Sequence, residues 1–527
     1  MRNVFTLDTS ALDNALTATG IEQTWKALLA TRVARAGERF AYILEAEFLK
    51  GASRMERDLL QNLSIGEISV LYEYCVSQVD SSSRKDNGQY FTPDDVSSLM
   101  VREALEFRPG KWLDPCAGIG NLAWHLVNAQ KDKEEFLRHQ LVLADKDGLA
   151  LEIARVLFTL SFQATRPNLY HEIRACFAQF DFLSVADRGE ATLFENGQLD
   201  AIPAHDFVIV NPPYLGLKKD DSRFETAKSR DLYAYFLENI IKTSSGFVSV
   251  TPQSFTNAAK FSGTRRLLLE HYSSLKIYAF DNIPGNIFYG VKFGSSNSNS
   301  ANSIRAAITV AKQNGTERKI TSLLRWRTSE RNELFSKIPE FLAESPLSAA
   351  HFPKIGTALQ EFYRQLEGRP TLGSYLSSSP TDHVLYIPAA PRYFISALKR
   401  PVSRSSMKKI YFHNNDDLHL AYILLNSSIM YWWWRVMDGG MTLALETIKS
   451  LPMPRFNINF DLINRLEDSE INNKVYKKNA GSLHENVKHD VDLVSMLNEH
   501  IAPNYSKRLL RTHENSDLVQ LNRQTKE

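Results

Sequence analysis

The sequence predicts an α/β fold in which a mostly parallel sheet is flanked by helices, and two observations support this. Between about residues 89 and 315, short apolar segments alternate with helical ones, and such alternation is typical of parallel sheets. One of these segments, Phe207–Val210, is entirely apolar and β-rich, which predicts a buried strand. Asn211 follows it directly, at the edge where open α/β sheets bind ligands.

The elements are predicted in chain order as follows. Residues 1–84 are predicted to be helical, because apolar residues such as Leu28, Val33 and Phe40 recur near helical spacing. The polar residues 81–88 mark a boundary or loop. A helix is then predicted over Asp94–Leu105, with Thr92 as its N-cap and Pro93 as its first residue.

Strands are predicted at Lys111–Leu113, Leu141–Ala144 and Gly246–Val250, because each is a short apolar segment bounded by turn residues. The first leads into a Gly-rich loop, and a helix from Leu149 follows the second. We divide the chain into a helical region (1–84), a sheet domain (85–340), a mixed α/β domain (341–470) and a polar tail predicted to be helical (471–527).

The length of 527 residues is too great for one ordinary domain. The hydrophobic fraction of 43% and the charged fraction of 23% are those of a soluble globular protein. Because the formal charge is only +2, a surface for nucleic acid has to be local.

The three cysteines, Cys75, Cys116 and Cys176, lie far apart and form no CxxC or Cys/His cluster. We therefore expect no metal site and no disulfide framework, which fits a cytoplasmic protein. The longest apolar stretch, residues 421–437, is interrupted by Asn426 and Arg435. It is therefore not expected to cross a membrane.

The segment Asn211-Pro212-Pro213-Tyr214 carries the most specific chemistry. Asn211 offers an acceptor oxygen, and the two prolines fix the backbone and have no N–H to donate. Tyr214 offers a flat face for stacking. The set suits a planar group with an exocyclic amino group, although alone it does not choose between adenine, cytosine N4 and a glutamine amide.

A second motif begins at Asp114 and continues through a small-residue loop into a helix. Gly118 and Gly120 let the backbone approach a ligand, since no Cβ intrudes, and Asp114 can pair with a cationic amino group. The pattern is not GxGxxG, which disfavours a nicotinamide cofactor. The alternative is an ordinary turn between a strand and a helix.

Two further acids follow predicted strands. An acid at the end of the second strand, Asp145, is the usual partner of ribose hydroxyls in doubly wound folds. Asp181, beside Phe182, could accept a hydrogen bond from an adenine amino group, although in isolation it is more often a solvated turn residue.

Five segments in this order resemble the gamma class of N6-adenine DNA methyltransferases, which includes modification enzymes of type I and type II restriction systems. They are Gln89–Pro93, Asp114–Asn121, Asp145, Asp181–Leu183 and Asn211–Tyr214. The resemblance covers about residues 85–315. One departure is Cys116-Ala117 where the family commonly has Ala-Cys, and we expect no loss of function because both residues are small.

The resemblance implies an S-adenosylmethionine site. Its implied cofactor-binding residues are Tyr90, Phe91, Thr92, Asp114, Cys116, Gly118, Gly120, Asn121, Asp145, Asp181 and Phe182. Its implied catalytic residues are Asn211, Pro212, Pro213 and Tyr214. The Asn211 side chain and the Pro212 carbonyl would accept hydrogen bonds from the target adenine N6, and Tyr214 would stack on the flipped base.

The implied function is site-specific methylation of adenine N6 in double-stranded DNA, with 341–470 as the target-recognition domain. Such a protein works in a restriction–modification system and can have a separately encoded restriction endonuclease as a partner. We also consider RNA adenine, a protein glutamine amide, and a non-catalytic DNA-binding specificity subunit. DNA is favoured because about 200 residues follow the sheet, and the intact Asn211 motif argues against a relic.

The candidate DNA contacts form a basic segment without acids between Pro391 and Phe412, interleaved with aromatic residues. Such a segment suits phosphate contact, and the alternative is a solvated basic surface. Its basic residues are Arg392, Lys399, Arg400, Arg404, Lys408 and Lys409. The aromatic cluster Tyr431–Trp434 is predicted to pack in a core rather than to stack on bases.

Overall fold

The computed structural model describes residues 10–79, 92–164, 167–184, 202–288, 304–391, 393–404, 406–438, 440, 442–479 and 482–524. The chain forms two compact units. The first comprises Met1–Phe255, Ala259–Ile277 and Asn286–Glu317, and the second comprises Thr256–Ala258, Tyr278–Gly285 and Arg318–Glu527.

The first unit contains a sheet and its flanking helices. Its helices are α1 (Ser10–Ala36), α2 (Ile65–Val79), α3 (Asp94–Ala104), α4 (Asn121–Asn128), α5 (Lys133–His139), α6 (Gly148–Phe162), α7 (Leu169–Glu172), α8 (Leu232–Thr243) and α9 (Ser262–His271). Its strands are β1 (Trp112–Asp114), β2 (Leu141–Asp145), β3 (Phe177–Gln179), β4 (Phe207–Val210), β5 (Gly246–Pro252), β6 (Ser274–Phe280, which continues into the second unit) and β7 (Ala306–Lys312).

The strands of the sheet that lie in the first unit have the order β3-β2-β1-β4-β5-β7-β6. Strands β1 to β5 pair in parallel, whereas β7 runs antiparallel to β5. The order reverses between β1 and β4, and ligands of doubly wound sheets bind at such a switch point. This is an open, mostly parallel α/β sheet flanked by helices, so the predicted fold class is confirmed.

The predicted helical character of the N-terminal residues is also confirmed, with a 3₁₀ segment at Glu38–Glu45 between α1 and α2. Their apolar side chains share one core with helix α6, as Trp25 and Leu71 belong to the same cluster as Ile153 and Val156. The N-terminal helices therefore pack against helix α6.

The second unit is mixed α/β. Its helices are α10 (Arg331–Lys337), α11 (Gln360–Leu366), α12 (Asn415–Asn426), α13 (Ser428–Met437), α14 (Leu445–Lys449), α15 (Phe460–Asn472), α16 (Val491–Ile501), α17 (Ser506–Arg511) and α18 (Asp517–Gln524). Its strands are β8 (Arg318–Thr321), β9 (Leu342–Glu344), β10 (Val384–Pro388), β11 (Met407–Tyr411), β12 (Lys474–Asn479) and β13 (Ser482–Val487), which form antiparallel pairs in this order.

The core of this unit contains Tyr431–Trp434, each less than 5% exposed on helix α13, so the packing prediction for this cluster is confirmed. The helical prediction for 471–527 is wrong over 474–479 and 482–487, which form the two strands of a hairpin. Here the backbone hydrogen bonds join the two strands of the hairpin. The segment lacks the apolar periodicity on which a helix prediction depends. Helices α16 and α17 bury Leu497 and Leu509 in the same core.

Among the described residues, no helix is long and apolar enough to cross a bilayer. Within the same residues, no group of three or more His, Cys, Asp and Glu side chains is placed to hold a metal ion.

Candidate active site

Three polar residues meet at the carboxyl edge of the sheet. Strand β1 ends at Asp114, strand β2 ends at Asp145, and Asn211 follows the last residue of strand β4. Because β1 pairs in parallel with both β2 and β4, these ends lie side by side. The structure therefore brings together three residues that the sequence had identified separately.

The Asn211 side chain is held on both sides. Its Nδ2 donates to the Thr92 hydroxyl across 2.9 Å, and the Tyr214 hydroxyl lies 2.6 Å from its Oδ1. The same Tyr214 hydroxyl lies 2.8 Å from the Val250 carbonyl oxygen. Since a hydroxyl carries one proton, these two acceptors share it, and the Asn211 oxygen keeps capacity to accept from a ligand.

The main chain of Asn211 is also fixed. The Cys116 thiol donates to the Asn211 carbonyl oxygen at 3.3 Å. Burial raises the pKa of this thiol well above its usual range, and the carboxyl groups of Asp114 and Asp145 raise that pKa further. Cys116 is therefore a protonated donor and not a nucleophile. Pro212 is buried and Pro213 half-buried.

Thr92 does not cap helix α3, so the N-cap prediction is wrong. The helix begins at Asp94 with Pro93 in the N-cap position, because the Thr92 hydroxyl bonds to Asn211 instead. Thr92 is 5% exposed. The Asn121 amide donates to its carbonyl oxygen at 2.7 Å and to the Ser97 hydroxyl at 3.0 Å. Asn121 thus positions Thr92, which in turn positions Asn211.

Two aromatic residues that sequence reasoning missed flank Tyr214. Its ring meets Tyr233 at a centroid distance of 6.3 Å and Phe288 at 6.1 Å, both edge-on. Tyr233 lies in helix α8, and nothing in the sequence marks Phe288 beyond its aromatic character. Tyr214 is 9% exposed, so it forms part of an aromatic wall rather than a free surface ring.

Gly118 and Gly120 of the Gly-rich loop have different surroundings. Both have positive φ, +54° at Gly118 and +85° at Gly120, where only glycine is relaxed. A Cβ at Gly120 would lie 2.7 Å from the Phe158 ring and 2.9 Å from Leu143, whereas a Cβ at Gly118 would meet no described heavy atom within 4 Å. Gly120 therefore serves packing, and Gly118 borders a space that no described residue fills.

The two acids beside this loop are buried. The Asp145 carboxylate accepts hydrogen bonds from the Gly118 N–H at 2.7 Å and the Asp147 N–H at 2.9 Å. Asp114 accepts a long 3.4 Å bond from the Cys116 N–H. Burial raises the pKa of Asp114 well above its usual range and raises that of Asp145. A weakly bonded buried carboxyl beside open space fits the cationic amino group of an amino-acid moiety.

Asp181 and Phe182 follow strand β3. Asp181 is exposed, and its carboxylate accepts from the Leu183 N–H at 2.9 Å and the Ser184 hydroxyl at 3.0 Å. Phe182 is 1% exposed and stacks on Phe236 at 5.5 Å. Asp181 therefore offers a carboxylate at the sheet edge, while Phe182 packs in the core beneath it.

In the basic segment of the second unit, three described side chains bond to acids or amides, and Lys409 lies over the Tyr386 ring at 5.7 Å. Lys399 pairs with Glu467, Arg400 bonds to Glu485 at 3.2 Å, and Arg404 bonds to Asn486. The remaining described residues, Lys408 and Lys409, lie on strand β11 opposite Ile387 and Tyr386. The predicted residues Tyr90, Phe91 and Arg392 lie outside the described residues.

Parts of this chain are similar to known proteins. Residues 139–288 match the model of the Eco57I restriction-modification methylase family. The type II methyltransferase M.PstI of Providencia stuartii is 26% identical over 225 residues, which is 41% of this chain and 42% of that protein. The match thus spans less than half the length of that relative.

Two solved structures are loosely similar. A complex of DrdV with DNA has a TM-score of 0.42 at 16% identity, over 73% of this chain and 43% of that chain. A putative class I S-adenosylmethionine-dependent methyltransferase from Listeria monocytogenes has a TM-score of 0.38 at 14% identity, over 64% and 96%. The family match spans Asp145, Asp181 and Asn211–Tyr214. This part of the chain is therefore similar to methylases of restriction–modification systems.

Proposed function

We propose that the protein methylates N6 of adenine in double-stranded DNA, with S-adenosylmethionine as methyl donor, as the modification component of a restriction–modification system of the gamma class. The observation that carries this proposal is the fixed Asn211 amide beside the Gly118 loop, at the switch point of the sheet. The clamp for an amino group consists of the Asn211 side-chain oxygen and the Pro212 carbonyl oxygen. It lies at the same edge of the sheet as the buried acids Asp114 and Asp145.

The residues fit S-adenosylmethionine. Asp114 would hold the amino group of the methionine part, Asp145 the ribose hydroxyls and Asp181 the adenine amino group, while Gly118 leaves room beside them. Tyr90, Phe91 and Thr92 would border the methionine part. The cofactor supplies a methyl group already activated by a sulfonium, so no covalent enzyme intermediate and no catalytic cysteine are needed.

The Asn211 side-chain oxygen and the Pro212 carbonyl oxygen would accept the two N6 hydrogens of adenine. The N6 lone pair is delocalised into the ring, and two acceptors favour the more nucleophilic, pyramidal amine. They help most in the transition state, when the nitrogen gains positive charge. The hydrogen bonds that Asn211 donates to Thr92 and accepts from Tyr214 prevent the amide from rotating, so this electrostatic stabilisation is preorganised.

An adenine inside a duplex has to be flipped out before it reaches such a clamp, at a cost of a few kcal/mol. Stacking on Tyr214 would offset about 1–3 kcal/mol of this cost. Contacts to the DNA backbone would supply the rest. Lys408 and Lys409 on strand β11 have no bonded carboxylate among the described residues, and neither does Arg404, which bonds to Asn486.

The test is a transfer assay with radiolabelled S-adenosylmethionine and three acceptors: duplex DNA, RNA and protein. We expect label in adenine of DNA, and no transfer by Asn211→Ala, which should still bind the cofactor. Label in RNA or in a glutamine amide would replace DNA as the substrate. A wild-type protein that binds no S-adenosylmethionine would identify a non-catalytic relic.

A further inference from the structure

The hairpin β12–β13 is an exposed two-stranded ribbon with a basic strand. Lys474 pairs with Val487 at its base, and Asn479 pairs with Ser482 at its tip. All of Lys474–Lys478 is exposed, including Tyr476 at 55%. The opposite strand exposes Leu483 at 62%. This surface belongs to neither the candidate active site nor the predicted basic segment.

The lysines of the ribbon are not neutralised. Among the described residues, no carboxylate lies within 4 Å of Lys474, Lys477 or Lys478. The acid on the ribbon, Glu485, is directed to Arg400, and its main chain donates to the Ser403 carbonyl at 2.8 Å. The charge of the ribbon surface is therefore positive.

The base of the ribbon is anchored to the second unit. The Ser396 hydroxyl donates to the Val487 carbonyl at 2.6 Å, Arg404 bonds to Asn486, and Arg400 bonds to both Glu485 and the Glu470 carbonyl. These bonds explain part of the basic segment: Arg400 and Arg404 hold the ribbon. An anchored ribbon loses little conformational entropy when it binds a partner.

We infer that this ribbon, formed by Lys474–Asn479 and Ser482–Val487, contacts duplex DNA, with Lys474, Lys477 and Lys478 on the phosphates. The inference rests on the proposed function and adds a contact element to it. A two-stranded ribbon fits the width of the major groove, and unpaired lysines are what phosphate contact requires. Charge complementarity favours DNA over a protein partner, although Leu483 and Val475 are also exposed.

The experiment compares the full chain with a triple variant, Lys474→Gln, Lys477→Gln and Lys478→Gln. Its matched control removes the same charge from exposed residues of the first unit, through Lys50→Gln, Arg54→Gln and Arg57→Gln. Binding of a labelled duplex is measured by fluorescence anisotropy over a range of salt concentrations. Circular dichroism confirms that both variants fold.

We expect the ribbon variant to bind at least about tenfold more weakly at low salt, and its slope of log Kd against log salt concentration to fall by about 2–3, since each phosphate contact contributes about 0.9. The control should keep the wild-type slope. Equal slopes in all three proteins, or equal losses in both variants, would overturn the inference. So would a ribbon variant that keeps its DNA affinity but loses a self-association seen in the wild type.

Failure of the proposed function would look different. In that case the wild-type protein itself would transfer no methyl group to DNA. A wild type that methylates DNA, with a ribbon variant of unchanged salt dependence, would remove only the ribbon from the interface.

Discussion

The side-chain amide of Asn211 donates to the Thr92 hydroxyl across 2.9 Å, although the two residues are 119 positions apart in the chain. This bond joins the loop before helix α3 to the motif after strand β4. Asn121 in turn donates to the Thr92 carbonyl oxygen. The Gly-rich loop that leads to Asn121, the loop at Thr92 and the motif Asn211–Tyr214 therefore form one hydrogen-bonded unit.

Replacing Thr92 should therefore impair chemistry through Asn211. Thr92→Val keeps the volume but removes the hydroxyl, and we expect kcat to fall about tenfold, as expected for one hydrogen bond of about 1.4 kcal/mol. Steady-state methylation kinetics measure this. Thr92→Ser should retain most of kcat. Equal losses in both variants would show that the hydroxyl is not what matters.

The two glycines of the loop should respond differently to alanine. Gly120→Ala would force a Cβ against Phe158 and Leu143, and we expect the free energy of unfolding to fall by about 2–4 kcal/mol. Gly118→Ala faces open space and should cost only about 1 kcal/mol, yet weaken S-adenosylmethionine binding. Urea unfolding and calorimetric titration separate the two effects. Normal cofactor binding by Gly118→Ala would contradict the placement of S-adenosylmethionine beside Gly118.

Asp231 gives a pH dependence with a definite sign. Burial raises the pKa of this carboxyl to about 6, while Lys260 opposes the shift. Because the folded-state pKa lies above the unfolded value, the stabilising contribution of the protonated form is fully present below about pH 4. It is lost as the pH rises through about 6.

Asp231→Asn removes the titrating carboxyl and therefore the loss of stability with rising pH. We expect the variant to gain stability relative to the wild type between about pH 4 and pH 7, by about 1–2 kcal/mol. Unfolding by urea at several pH values gives the difference between the two proteins. A difference that does not change with pH would mean that the carboxyl of Asp231 titrates normally.

Arg400 is a test of anchoring against direct DNA contact. Arg400→Ala leaves the buried carboxylate of Glu470 and the half-buried carboxylate of Glu485 without this partner, and we expect a loss of about 2–4 kcal/mol of stability. Lys409→Ala, on the exposed side of strand β11, should change stability by less than about 0.5 kcal/mol. If Arg400→Ala leaves the melting temperature unchanged but lowers the salt slope of DNA binding, Arg400 contacts phosphate instead.

The strand ends of the site could be predicted from the sequence because they depend on local patterns. Phe207–Val210 is apolar throughout, so the position of Asn211 at the sheet edge follows from its neighbours in the chain. The same holds for Asp114 and Asp145, which end strands β1 and β2. Parallel pairing then brings these ends together, which requires no knowledge of individual contacts.

The rest depends on partners that are distant in the chain. The hydroxyl of Thr92 could cap a helix or bond elsewhere, and only the fold shows that Asn211 is its partner. Similarly, Arg404 bonds to Asn486, 82 residues downstream. Strand β12 of the ribbon could not be predicted from alternating apolar residues, because its positions are exposed and lysines occupy several of them.

The most direct measurement of the central claim is modified-base sequencing of DNA from cells that express either the wild-type chain or Asn211→Ala. We predict N6-methyladenine at one recurring sequence in the wild-type sample and none in the variant sample. Methylation of cytosine, or N6-methyladenine that persists in the Asn211→Ala sample, would contradict the assignment of the clamp to adenine.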